Sequence, residues 1–190
     1  MILQIEETPN PNALKFVFGN LGYSFEPVSF NLDDSNINSA LVRVLFKIEG
    51  IVSVMLTTNA VVVRKNDGKL WDSLRQMIFE SIESFFQVGL ALFDGNEEIL
   101  PSDNTGNCDI DDNLNSDIVK QIKALLDDRV KPALAMDGGS VVFRGFDNGI
   151  VLLELKGACI GCPSANITLK HGIENLLKYY IPEVIEVKSV

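Results

Sequence analysis

The sequence predicts an α+β protein made of two small domains, each a sheet packed with helices. Of its 190 residues, 46% are hydrophobic, which is enough to bury real cores. Residues 94–117 carry eight acidic side chains and no basic one, so they separate two apolar parts. Both parts contain strand-like runs and stripes with helical spacing. We therefore place a first domain at residues 1–93, a flexible acidic linker at 94–116 and a second domain at 117–190.

In the first domain, the run LKFVF at residues 14–18 predicts a strand. The apolar runs at 51–56 and 60–65, joined by Thr58-Asn59, predict a hairpin. A short helical stripe comprises Leu41, Val44, Leu45 and Ile48. A longer one comprises Leu74, Met77, Ile78, Ile82, Phe85 and Phe86. We interpret the longer stripe as buried core rather than as a cofactor-binding face, because the first domain offers no clustered metal ligands and no nucleophile with a base.

The second domain has the predicted order helix, strand, strand, helix, strand. Its first helix should carry a core stripe, begin near Ser116 as N-cap and end near Pro132. That stripe comprises Ile118, Ile122, Leu125, Leu126 and Val130. Asp147-Asn148-Gly149 predicts a hairpin turn between runs at 141–146 and 150–156. The second helix should bury Leu169, Ile173, Leu176, Leu177 and Tyr180, and VIEV at 184–187 should form a short strand.

Composition and charge exclude several classes of function. The net charge of −10 argues against nonspecific binding of nucleic acid, which requires basic side chains to neutralise phosphates. No apolar run approaches the length of a membrane span, and the N-terminus lacks a secretion signal. Three cysteines are too few for the disulfide framework of a secreted mini-protein. A reducing compartment is therefore expected, with the close cysteine pair binding metal or carrying out redox chemistry.

The candidate site is the loop at residues 157–164, GACIGCPS, between the second strand of the hairpin and the second helix. Cys159 and Cys162 are separated by two residues, a spacing that lets both sulfurs face one metal centre. Pro163 and Ser164 favour a helix start, and a helix N-terminus favours thiolate over thiol. Taken alone, this pair leaves three readings open: metal or cluster binding, thiol–disulfide redox chemistry, and structural coincidence.

Counting ligands favours a dimer. Tetrahedral zinc and iron–sulfur clusters usually take four protein ligands, and one domain supplies two. Cys108 falls in the acidic linker and is interpreted as a spare thiol, whereas His171 is interpreted as a solvent-facing helical residue. A two-fold dimer in which each subunit donates Cys159 and Cys162 supplies four thiolates, because such an interface brings identical loops face to face.

The second domain resembles the C-terminal domain of NifU-like (Nfu-type) iron–sulfur cluster proteins. The motifs GACIGCPS, TLKHGIE and PEV occur together and in order, and the match covers residues from about 118 to 190. The segments EETPNPNALKF, LFKIEGIVSV and WDSLRQMIFESIESFF resemble the separate N-terminal domain of bacterial and mitochondrial members. Together these matches cover nearly all of the chain except the linker.

The resemblance implies that Cys159 and Cys162 ligate a [4Fe-4S] cluster across a homodimer; the sequence leaves open whether a [2Fe-2S] form is also held. It implies a carrier rather than an enzyme, with no catalytic residues, which takes part in iron–sulfur cluster assembly beside upstream assembly proteins and delivers its cargo to apo-proteins. We expect residues 1–93 to act as a docking module. Because Met1 directly precedes the N-terminal motif, we also expect a bacterial, cytoplasmic protein.

Overall fold

The computed structural model describes residues 3–19, 25–94, 113–160 and 163–190. The chain divides into two compact units, Met1–Ser102 and Asp103–Val190. Most of the predicted linker, including Cys108, lies outside the described residues, so the linker remains a prediction. Each unit combines a sheet with helices, which confirms the predicted α+β class. In the described part of the chain, no helix combines the length and apolar character needed to cross a membrane.

In its described residues, the first unit is a five-stranded antiparallel sheet with two helices. Its elements are β1 Leu3–Glu7, β2 Ala13–Phe18, β3 Val28–Asn31, α1 Ala40–Leu45, β4 Ile51–Leu56, β5 Ala60–Lys65 and α2 Trp71–Val88. The strand order is β1-β2-β5-β4-β3. The predicted strand at 14–18 and the predicted hairpin at 51–65 are both confirmed, with β4 and β5 paired antiparallel around Thr57–Asn59.

The apolar stripe of α2 packs on this sheet, as predicted. Leu74, Ile78, Ile82 and Phe85 are buried, and they repeat at helical spacing. Met77 was wrongly assigned to the core, because it lies at the edge of the stripe and is 44% exposed. Likewise Val44 of α1 is exposed, and Val42 takes the buried position instead.

The chain that leaves α2 is tied back to the start of α1. The Ser39 hydroxyl donates a hydrogen bond to the Leu92 carbonyl at 2.7 Å. The Asp94 amide donates to the Asn38 carbonyl at 2.8 Å, and the Asp94 carboxylate pairs with the Arg43 guanidinium. The first unit therefore keeps native contacts up to Asp94, one residue beyond the predicted boundary.

The second unit has the predicted order helix, strand, strand, helix, strand. Its elements are α3 Asn113–Leu125, a π-helical turn Leu126–Val130, α4 Lys131–Met136, β6 Gly139–Asp147, β7 Ile150–Gly157, α5 Pro163–Tyr180 and β8 Glu186–Ser189. Strand β7 lies between β6, which is antiparallel to it, and β8, which is parallel. Asn148 and Gly149 have φ of 48° and 80°, as the tight turn between β6 and β7 requires.

Both predicted ends of the first helix of this unit were wrong. Helix α3 begins at Asn113, so Ser116 lies inside it rather than at its N-cap. The helical path also continues past Pro132 to Met136. A proline has no N–H to donate and is tolerated in the first turn of a helix. In the π turn, the Lys131 amide donates a hydrogen bond to the Leu126 carbonyl, five residues back. Helix α4 begins at this point, so Pro132 lies in its first turn.

Helix α5 contacts the sheet through part of its predicted face. Ile173 and Leu177 are buried, and Leu169 and Leu176 pack at the margin of the core. Tyr180 was wrongly placed in the core; it is 44% exposed, and the Arg129 guanidinium lies 5.8 Å from its ring centre. The predicted strand at 184–187 is present but shifted two residues toward the C-terminus, at Glu186–Ser189.

Glu174 should make the stability of the second unit depend on pH. Its carboxylate pairs with Lys178 at 2.6 Å and accepts a hydrogen bond from the Val187 amide at 3.0 Å. Both contacts lower the pKa of Glu174, and the hydrogen bond from Lys178 contributes most. A carboxyl whose pKa is lower in the folded state stabilises that state above its ordinary pKa and loses this contribution as pH falls through the folded value. We expect Glu174→Gln to destabilise the protein by about 1 kcal/mol at pH 7.

The difference in stability between Glu174→Gln and the unsubstituted protein should shrink as pH is lowered below the ordinary glutamate pKa of about 4.5. Thermal unfolding measures this difference when it is followed from about pH 3, below the ordinary pKa of carboxyl groups, to about pH 8, where they are ionised. Glu183→Gln removes the same charge at an exposed site and serves as the control. A loss of stability that stays constant over the whole range would contradict the assignment.

Candidate metal centre

The loop that carries the candidate ligands lies between the end of β7 and the start of α5. Strand β7 ends at Gly157, residues 158–160 form a turn, and α5 begins at Pro163. The helix thus starts directly after the cysteine motif, as predicted. Gly161 and Cys162 lie outside the described residues, so the position of Cys162 and its pairing with Cys159 remain predictions.

The loop is fixed where β6 begins and β7 ends. Gly139 pairs with Gly157 at the last rung of the ladder. Gly138 and Gly157 have φ of 72° and 67°, in the left-handed region that favours glycine. The Ala158 amide donates to the Gly138 carbonyl at 2.9 Å, and the Ile160 amide donates to the Gly157 carbonyl at 3.2 Å. Backbone hydrogen bonds therefore hold the chain on both sides of Cys159.

Cys159 faces the interior of its unit. The residue is 5% exposed and belongs to the hydrophobic cluster that includes Leu134 and Val141. Its sulfur lies against Gly139: a Cβ added to that glycine would be 2.2 Å from Cys159 Sγ. The sequence marked Gly138-Gly139 only as a break in the chain. Its role beside the sulfur depends on the direction that the Cys159 side chain takes after the last rung of the hairpin, which the sequence pattern does not give.

Of the other candidates from the sequence, the structure describes His171. His171 lies on α5 and is exposed, which confirms the interpretation of a solvent-facing histidine. In the ranges that the structure describes, no cluster of three or more His, Cys, Asp or Glu residues could hold a metal ion. Neither Cys108 nor Cys162 falls in those ranges. The ligand set therefore remains the predicted pair, Cys159 and Cys162.

The environment of the loop suits a thiolate ligand. Helix α5 is 18 residues long and begins four residues after Cys159. The free amides and the dipole at a helix N-terminus favour negative charge within the first turn. Thiolate sulfur is the donor that iron–sulfur clusters and structural zinc sites both take. The chemistry of this donor fits either kind of centre.

Comparison with known proteins identifies the family. Residues 3–89 match the model of the family "Scaffold protein Nfu/NifU N terminal", and residues 122–188 match "NifU-like domain". The chain is 41% identical over 191 aligned positions to the human protein named NFU1 iron–sulfur cluster scaffold homolog, mitochondrial. That alignment covers all of this chain and 72% of the human protein. The protein of the same name from Drosophila ananassae is 37% identical, and the chain spans 64% of its length.

The relatives' names place those proteins in mitochondria, and the expectation of a bacterial, cytoplasmic protein remains a prediction. A solution structure of a NifU-like protein from Saccharomyces cerevisiae matches 51% of this chain and 87% of its own, with 22% identity and a TM-score of 0.45. We draw no conclusion from a likeness of that size. The two family matches and the identity to the human protein, which hold along both units, show that the chain belongs to the Nfu/NifU family of iron–sulfur cluster scaffold proteins.

Proposed function

We propose that this protein carries a [4Fe-4S] cluster, held between two subunits by Cys159 and Cys162 of each, and delivers it to apo-proteins. The observation that carries the proposal is the position of Cys159. It lies on a loop that backbone hydrogen bonds fix at two strand ends, directly before a long helix, in a chain of the scaffold family.

The dimer follows from the number of ligands. A cluster of this type takes four thiolates, and the predicted pair provides two per subunit. An isologous interface brings the same loop of each subunit to the two-fold axis, so two subunits complete the set. The cluster then serves as cargo that links the subunits.

Charge also favours this arrangement. Four thiolates around a doubly positive [4Fe-4S] core leave a net charge near −2. In each subunit the loop precedes the N-terminus of α5, whose unpaired amides stabilise negative charge. Two such helices would partly offset the charge of the cluster.

The same arrangement makes delivery possible. Each subunit holds the cargo through only two bonds, so thiolates of an acceptor can replace them one after another while the subunits separate. We further propose that residues 1–93 dock on the acceptor and that the part of the predicted linker between Asp94 and α3, residues 95–112, acts as a flexible tether. A tether raises the concentration of the cluster-binding unit near a docked acceptor without any new contact.

Two other functions share the same cysteines. A thiol–disulfide oxidoreductase would use Cys159 as the nucleophile and Cys162 as the resolving thiol. Because Cys159 is 5% exposed, its loop must open for that chemistry, as it must for ligation of a cluster shared with a second subunit. A structural zinc-bridged dimer would use the same four thiolates. The zinc alternative therefore differs in the bound metal and not in the ligands.

One experiment separates these functions. The protein is purified without oxygen, reconstituted with ferrous iron and sulfide, and analysed for iron, acid-labile sulfide, zinc and visible absorption. We expect a brown protein with iron and sulfide in equal amounts, and transfer of the cluster to an apo-ferredoxin or apo-aconitase on mixing. A colourless protein that keeps zinc, or one that reduces disulfides, would overturn the proposal.

A further inference from the structure

The contact between Gly139 and Cys159 links the two strand ends of the second unit to the candidate ligand. Gly139 begins β6, twenty residues before the cysteine in sequence, and pairing with β7 brings them together. A Cβ at position 139 would lie 2.2 Å from Cys159 Sγ, a distance that real Cβ atoms do not show. The space that the missing side chain leaves is filled by the sulfur.

Among the atoms that the structure describes, only the sulfur requires a glycine at this position. Gly139 is not among the glycines with positive φ, so its backbone conformation is open to other residues. The next nearest atoms to the added Cβ are Cys159 Cβ at 3.5 Å and the Leu134 carbonyl oxygen at 3.6 Å, both ordinary van der Waals contacts. Gly138 and Gly157, by contrast, are constrained by their own positive φ.

We propose that Gly139 is a positioning residue for Cys159: because Gly139 has no side chain, the Cys159 sulfur can lie buried against β6, and this contact sets the position of the thiol and of its loop in the cluster-free protein. The contact between Gly139 and the sulfur is independent of the proposed function. The expected effect on cluster binding rests on that function. With alanine at position 139, either the sulfur must rotate about the Cα–Cβ bond of Cys159 or β6 must move away. A cluster ligand tolerates little displacement, because metal–sulfur distances vary by only about 0.2 Å.

The test compares Gly139→Ala with Gly145→Ala, which lies on the same strand. A Cβ at position 145 meets only Leu152 Cδ1, at 3.8 Å, so this control adds the same methyl group without touching the sulfur. In the cluster-free protein, we expect Gly139→Ala to raise the alkylation rate of Cys159 by iodoacetamide by about ten-fold, since the thiol leaves a buried site. Peptide mass spectrometry measures the alkylation of each cysteine separately, and Cys108 serves as the internal reference.

After anaerobic reconstitution, Gly139→Ala should lose most of its iron and visible absorption, whereas Gly145→Ala should keep both. Iron retained by Gly139→Ala, or an unchanged alkylation rate of Cys159, would overturn the proposal. If the unsubstituted protein takes up no iron, the proposed function fails, and the alkylation rates still decide whether Gly139 positions the thiol.

A double-mutant cycle keeps the test valid if Gly139→Ala folds poorly. Cys159→Ala removes the sulfur and leaves two methyl groups 3.5 Å apart. The melting temperature of the double variant Gly139→Ala/Cys159→Ala should therefore exceed that of Gly139→Ala. A double variant whose loss of stability is the sum of the two single losses would show that the methyl group and the sulfur do not meet.

Discussion

Replacing either Cys159 or Cys162 with alanine should abolish cluster binding and cluster-dependent dimerisation together. Each substitution removes one thiolate from each subunit, so a dimer keeps two of the four that a [4Fe-4S] cluster takes. Iron content and visible absorption should fall to the background of a mock reconstitution. Size-exclusion chromatography under nitrogen should show no dimer that depends on iron.

The matched controls are Cys108→Ala and His171→Ala. Cys108 belongs to the acidic segment, and His171 is exposed on α5. Both variants should keep the iron content and the dimer of the unsubstituted protein. A cluster that survives the loss of either Cys159 or Cys162, or that disappears with Cys108, would show that the ligand set is different.

Removing residues 1–93 should leave cluster binding intact and slow delivery by ten-fold or more. The second unit has its own hydrophobic core, and Cys159 of the candidate loop belongs to it. Delivery without docking becomes an ordinary bimolecular encounter, and a tether can raise effective concentration by about two orders of magnitude. The measurement is the rate of cluster appearance on an apo-acceptor as a function of acceptor concentration.

Residues 1–94 added in trans provide the control for docking. This fragment includes the pairing of Asp94 with Arg43, which completes the first unit. As a competitor, it should slow delivery by the full chain and leave delivery by the truncated protein unchanged. Equal delivery rates for the full and truncated proteins would exclude a docking role.

The parts of the fold that the sequence predicted are those set by local chemistry. The turn at Asn148-Gly149 takes positive φ at both positions, which few other residue pairs accept. The α2 stripe repeats at helical spacing over about three turns, and the cysteine motif directly precedes the start of α5. Each of these features depends on residues that are close together in the chain.

The features that the sequence missed either lack a strong apolar pattern or depend on backbone hydrogen bonds that the residue types do not reveal. Strand β1 is a largely exposed edge strand, and β3 is a four-residue edge strand, so neither carries a strong apolar pattern. Pro132 suggests a helix end, but the π turn before it lets the helical path continue. The contact between the Cys159 sulfur and Gly139 forms only when β6 and β7 pair in this register.

Native mass spectrometry of the anaerobically reconstituted protein tests the central claim most directly. It measures the mass of the intact assembly, which gives the numbers of subunits, iron ions and sulfide ions in one complex. We predict a dimer that holds one [4Fe-4S] cluster, with four thiolates supplied by two subunits. A monomer that keeps a complete cluster would contradict the account, because the second pair of ligands would then come from elsewhere in the same chain.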